Sequence, residues 1–218
     1  MLRYAVKVGR PREHDQGTAE ALLTAAERIV EAEGLNALSV RGLAIEVGTS
    51  TRAVYSLFGS KDGLISALGE RTFQLLGTAV EALPTTQDAA LDLVEAGVSG
   101  FRCLVVDHPG LFKLGIQQTY TTAEQVIEIQ TAAARAWKVL VERVGQLEQQ
   151  GRLGTRSVQE AATAFHALCE GLAALEIRGA LPADTAERHW RNALTDLVEG
   201  FNISNRRRPS TPDPPRTS

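Results

Sequence analysis

The chain has 218 residues, 44% apolar and 22% charged with aromatics at 5%, which is the make-up of a globular protein long enough to bury a core without disulfide or metal staples. Its net charge of −3 hides an uneven distribution: residues 1–62 hold eight basic and eight acidic residues, 63–200 eleven against seventeen, and 201–218 four against one. The two cysteines, Cys103 and Cys169, lie too far apart for a secreted disulfide framework and point to a reducing cytoplasm, and no apolar run reaches the ~20 residues that span a bilayer.

The chain opens on a basic arm, residues 1–16, in which Arg3, Lys7, Arg10 and Arg12 precede any acidic residue. From there apolar residues recur at helical spacing almost everywhere and period-two alternation is nearly absent, so the fold class is all-α with about nine helices. Thr18 is expected to cap a first helix that Gly34 ends. Ser39 caps a short second helix stopping near Gly48, Ser50 a third running to Phe58, and Ser60 with Asp62 in the first turn a fourth that ends before Pro84. A fifth helix is expected over Gln87 to Val106, broken at His108-Pro109-Gly110, and a sixth over Leu111 to Thr119. A long seventh runs from Thr122 to Gln150, Ser157 and Glu160 form a capping box opening an eighth that ends at Gly179, and the ninth spans Ala183 to Phe201. The tail 204–218, rich in Pro, Ser and Arg, has no apolar residue with which to offset its ordering entropy and is expected to be disordered.

Residues 39–58 hold the most specific pattern. With Val40 as the first position of a helix-turn-helix, Leu43, Ala44, Val47, Val54 and Leu57 point inward and Gly48 sits at the turn. Ala44 is small where the second helix crosses, and Gly48 turns the chain without a Cβ penalty. The outward side chains of the second helix, Thr51, Arg52, Tyr55 and Ser56, are hydrogen-bonding groups suited to phosphates and base edges, and none is acidic. The basic arm before the first helix and Lys61 after the third put positive charge on both sides of that helix, where a duplex backbone would run.

These residues carry a resemblance. Leu22-Leu23-Thr24-Ala25-Ala26 leading to Gly34, then Ser39-Val40-Arg41, then the run from Gly48 through Tyr55, Phe58 and Lys61 to Leu64, resembles the N-terminal domain of the TetR (tetracycline-repressor-like) family of transcriptional regulators over Thr18 to Leu68. The resemblance implies that Ser39 caps helix 2 and meets a phosphate, and that Arg41 contacts base or backbone in the major groove. It further implies that Thr51 and Arg52, following Ser50, are base-reading positions at the start of the reading helix, which also turns Ser56 outward, and that Tyr55 and Lys61 hold the backbone. Arg52 stands where the family often has glycine and Ala53 where it often has threonine; Arg52 either pairs with a guanine or grips a phosphate. Arg10 and Arg12 resemble arms that enter a minor groove in some members, against the alternative of a solvated tail.

For the rest of the chain the resemblance implies a ligand-binding and dimerisation domain over 63–203, following a DNA-binding domain over 1–62. His108 to Leu114 and Gly171 to Glu176 are similar to one subgroup of TetR C-terminal domains, but His166 and Glu170 replace its usual residues, so no ligand identity follows. Phe101, Leu104, Phe112, Gln117, Tyr120, Trp137 and Phe165 form a mainly apolar candidate set for a small-molecule effector. Leu168, Leu172 and Leu175 on the eighth helix and Leu194, Leu197 and Phe201 on the ninth form stripes fit for a homodimer seam, with burial inside one protomer as the alternative. His166 and Glu170, four apart beside Cys169, read as a hydrogen-bonded pair rather than a metal site, since no third ligand joins them at helical spacing. The expectation is therefore a cytoplasmic, non-enzymatic repressor without cofactor that leaves a palindromic operator when the effector binds. The contrary reading is a helical ligand-binding or metal-dependent enzyme with a relic helix-turn-helix.

Overall fold

A computed structural model describes residues 13–117 and 123–202. Among the described residues there are nine helices and no strand. They are α1 (Glu13–Glu33), α2 (Val40–Val47), α3 (Thr51–Phe58), α4 (Lys61–Ala82), α5 (89–107), α6 (109–117), α7 (Ala123–Gln149), α8 (Val158–Ile177) and α9 (Ala186–Phe201). Helices α5 and α6 each contain a π-helical stretch, Ala96–Arg102 and Lys113–Gln117.

Local chemistry sets most of these boundaries. The hydroxyls of Ser39 and Ser50 accept the backbone N–H of Gly42 and Ala53, each at 3.1 Å, and so cap α2 and α3. Between those helices Gly48 takes the left-handed conformation, φ 72, which a side chain resists. Ser60 accepts the Gly63 N–H at 2.9 Å ahead of α4. Ser157 and Glu160 form the expected reciprocal box, and the Ser157 backbone N–H and hydroxyl hold the Glu160 carboxyl below its ordinary range.

Four starts differ from expectation. Helix α1 already covers Glu13, so Thr18 lies inside it rather than at its cap; the acidic Glu13 and Asp15 suit an earlier first turn. Asp88, not Gln87, caps α5, its carboxylate accepting the N–H groups of Ala90 (3.1 Å) and Leu91 (3.3 Å). Helix α6 starts at Pro109, because proline at a first helical position gives up only an N–H that had no partner. Helix α9 starts at Ala186, since Pro182 to Thr185 close a turn through Thr185 N–H to Pro182 C=O, 3.0 Å. The expected end of α6 near Thr119 and the tail 204–218 lie outside the described residues.

The helices group into two compact units, one up to Leu76 together with Val106–Ala136, the other Gly77–Val105 together with the chain from Trp137. In the first, Leu22, Ala26 and Val30 of α1 meet Leu43, Ala44, Val54, Leu64 and Leu68 in one apolar core, and Leu111 and Leu114 of α6 complete it. In the second, Trp190 and Leu194 of α9 are fully buried, α9 packs on α5 and α8, and Phe165 stands over Gly97 of the π-helical stretch. Glu176 joins three helices there, accepting Arg102 through two nitrogens (3.2 and 2.9 Å) and the Trp190 indole N–H (2.7 Å). The buried Arg143 guanidinium caps the end of α4 by donating to the carbonyls of Val80, Leu83 and Pro84 at 2.7, 2.7 and 3.0 Å.

Candidate nucleic-acid interface

Val54 is completely buried and fixes α3 to the core by its inner face, which turns Thr51, Arg52, Tyr55 and Ser56 outward. All four are exposed, Tyr55 at 51% of its surface, and Ser39, Arg41, Ser50 and Lys61 are exposed around them. Ser39 and Ser50 use acceptor capacity on their caps, so their hydroxyl protons stay available to a phosphate oxygen.

Charge pairing separates these cations from their neighbours. Arg28 is tied to Glu46, and Arg71 to Glu20 (2.6 Å) and Glu27 (2.8 Å). Among the described residues Arg41, Arg52 and Lys61 have no carboxylate partner. Glu46, the one acidic residue of α2, is neutralised by Arg28, and α3 has none. The exposed face of the helix-turn-helix thus offers unpaired positive charge, serine hydroxyls and a tyrosine to an anionic surface. Arg10 and Arg12 lie outside the described residues.

The candidate effector residues divide between the units. Phe101, Leu104 and Phe165 are buried in the second, where Trp137 is half-buried. Phe101 and Trp137 both stand edge-on to the His166 ring, each at 5.8 Å, and His166 Nε2 lies 2.9 Å from Glu170 Oε1. Phe112 is fully buried in the first unit; the Gln117 side chain and Tyr120 lie outside the described residues. Burial pushes the Cys169 thiol up, which removes it from thiolate chemistry. Among the described residues no group of three or more His, Cys, Asp or Glu side chains is placed to hold a metal ion, and no helix is long and apolar enough to cross a membrane.

Of the expected seam residues, Leu172, Leu194 and Phe201 are buried within the single chain, at 7%, 0% and 1% exposure. Leu168, Leu175 and Leu197 keep accessible surface. An apolar stripe marks a buried helix face without saying which molecule buries it.

One polar cluster escaped the sequence reading. Glu20, Glu27 and Glu31 line one face of α1, and Glu27 reaches both Arg71 (2.8 Å) and His108 Nδ1 (3.0 Å). Glu31 accepts the backbone N–H groups of Gly110 (2.7 Å) and Leu111 (2.9 Å). The spacing of seven and four along α1 was visible as a signal; the partners, 79 and 80 residues further along the chain, were not.

Residues 22–68 match the family described as bacterial regulatory proteins, tetR family, and residues 94–197 match the tetracyclin repressor-like C-terminal domain. The chain belongs to the TetR family. It is a DNA-binding transcriptional regulator, with a helix-turn-helix ahead of a helical C-terminal domain. Solved structures share the fold. A protein of unknown function from Rhodococcus sp. RHA1 superposes with a TM-score of 0.75 at 22% identity, over 91% of this chain and 98% of that one. The TetR family transcriptional regulator PfmR from Thermus thermophilus gives 0.62 at 22% identity, over 82% and 97%. FadR from Bacillus subtilis, solved with stearoyl-CoA, gives 0.65 at 14% identity, over 84% and 98%. At these identities the likeness is one of fold. No curated protein matches the chain.

Proposed function

We propose that this TetR regulator is a cytoplasmic homodimeric repressor whose two reading heads bind a palindromic operator and release it when a small, mainly apolar molecule enters the C-terminal domain. The observation that carries the DNA half is the contrast in pairing: Arg28 and Arg71 are neutralised by glutamates, whereas Arg41, Arg52 and Lys61 are exposed and have no carboxylate partner among the described residues. In this reading Thr51, Arg52 and Ser56 read base edges, Ser39, Ser50, Tyr55 and Lys61 hold phosphates, Arg41 serves either, and Arg10 and Arg12 follow the groove. A DNA-binding domain of residues 1–62 and an effector and dimer domain of 63–203 divide the labour.

The effector reading rests on the aromatic group around His166, with Phe101, Leu104, Trp137 and Phe165 as apolar walls and the His166–Glu170 pair as a polar handle. Leu168, Leu175 and Leu197 supply the apolar part of the dimer seam. Nothing in this arrangement calls for catalysis. Release then follows from a population shift, the effector favouring an arrangement of heads that cannot span half-sites about 34–36 Å apart. Selection of bound duplexes from random DNA tests the reading: the expected product is an inverted repeat whose preference is lost when α3 is altered. Enrichment of no sequence, or of a single asymmetric site, overturns it.

A further inference from the structure

We infer that Glu31 is a positioning residue for the regulator's switch: it fastens the 108–117 segment to the DNA-reading helices, so that operator occupancy and the state of this segment are linked through one carboxylate. The inference rests on the DNA-binding reading above. Sequence order gives no hint of it, since residues 108–117 fall within the C-terminal family region, 94–197, yet pack in the same compact unit as the helix-turn-helix.

Glu31 and Glu33 stand at the C-terminal end of α1, where the helix dipole favours cations, and the last turn has no basic residue. Glu31 is misplaced for α1 alone. Its carboxylate instead meets the opposite pole of another helix, accepting the Gly110 and Leu111 N–H groups at 2.7 and 2.9 Å in the first turn of α6. Those N–H groups would otherwise have no partner within their own helix.

A Cβ at Gly110 would stand 2.9 Å from both Glu31 Oε2 and the Val30 carbonyl oxygen, closer than side-chain carbons sit, so the approach to α1 requires glycine. At the other end of the segment a Cβ at Gly115 would fall 2.7 Å from Thr72 Cβ on α4. Between them the Thr72 hydroxyl lies 3.1 Å from the Leu111 carbonyl oxygen, and Glu27 ties His108 at 3.0 Å. Leu111 and Leu114 anchor the segment in the apolar core, but apolar burial has no direction. The two hydrogen bonds to Glu31 fix the angle at which α6 leaves α1.

The test is hydrogen exchange on the full-length protein with and without the operator duplex obtained by selection. In the wild type, operator should slow exchange in 109–117 as well as in α3, by about fivefold or more, the lower end of ordinary coupling between sites. In Glu31→Ala the slowing at 109–117 should vanish while α3 stays protected. Glu31→Gln, nearly isosteric and with one acceptor oxygen in place of two, should fall between, and it decides the matter if the alanine variant does not fold. Protection at 109–117 that is absent in the wild type, or unchanged in Glu31→Gln and in any folded Glu31→Ala, overturns the role of Glu31 and leaves the docking of α3 intact. Loss of α3 protection in the wild type would overturn both.

Discussion

Lys61 offers the sharpest measurement of how this regulator meets DNA. It is the first residue of α4, exposed, and without a carboxylate partner among the described residues. If it neutralises one phosphate, a dimer carries two such contacts, and Lys61→Ala removes both. Each lost phosphate contact reduces the slope of log K against log salt by about 0.9, so the dimer's slope should flatten by about 1.8. The same relation makes the variant about 60-fold weaker near 0.1 M salt and about fivefold weaker near 0.4 M, with convergence on wild type toward 1 M. Operator and random duplex should lose equally, because phosphates hold no sequence information. Fluorescence anisotropy titrations at four or five salt concentrations give both numbers. The control is the double substitution Arg28→Gln with Glu46→Gln, which deletes a pair that is already neutral and should leave the slope within about 0.2 of wild type. A Lys61→Ala slope equal to wild type refutes the docking, and an affinity loss independent of salt shows damage to the head rather than a missing charge.

Three further outcomes concern the reading helix, the dimer seam and acid stability. Arg52→Ala should cost about 1–3 kcal/mol per half-site, about 2–6 kcal/mol on the whole selected operator, and relax preference at one base pair per half-site, read by repeating the selection; a uniform loss on all sequences makes Arg52 a backbone contact. Leu197→Asp should yield monomer by light scattering, whereas Leu194→Ala, at a fully buried position, should stay dimeric and lose about 2–5 kcal/mol in denaturant unfolding; the reverse pattern would return Leu194 to the seam. The Glu95 carboxyl is held below the ordinary glutamate value of 4.5, first by its hydrogen bond from Arg191 and also by that from Ser99, so the stability it adds is present above about pH 4.5 and lost as pH falls through the depressed value. Thermal unfolding between pH 6 and pH 3 should therefore fall more steeply in wild type than in Glu95→Gln, and parallel curves would mean that the Arg191 contact adds nothing.

How much was legible in the sequence depended on how far apart the partners lie. The helix-turn-helix was readable because its caps act within three residues and its core positions recur within twenty, as Ser39, Ser50, Gly48 and Val54 show. The capping box at Ser157 and Glu160 was readable for the same reason. Thr18 misled because a threonine ahead of an apolar run looks like a cap whether or not the helix began earlier. The π-helical stretches at Ala96–Arg102 and Lys113–Gln117 left no periodicity to detect; they contain Gly97, Gly100 and Gly115, where an added Cβ would run into neighbouring side chains. Leu194 and Leu197 lie about one helical turn apart, yet the first is fully buried and the second only half-buried, which only the fold decides.

The size of the Glu31 contact bears on whether it can matter to regulation. Coupling between an effector and an operator typically amounts to about 1–3 kcal/mol. Hydrogen bonds to a charged group contribute about 1.5–3 kcal/mol each, so two of them match or exceed that range. A single apolar contact such as Leu114 in the core is as strong, but it tolerates rotation and sliding, and so it holds α6 on the head without specifying one arrangement. A switch needs a contact that is strong in one geometry and absent in another. Carboxylate to paired N–H groups has that property, because the bonds weaken steeply once the angles fail. The apolar core of the first unit therefore sets the stability of the reading head, and the polar face of α1, with Glu27 and Glu31, sets which of its arrangements is occupied.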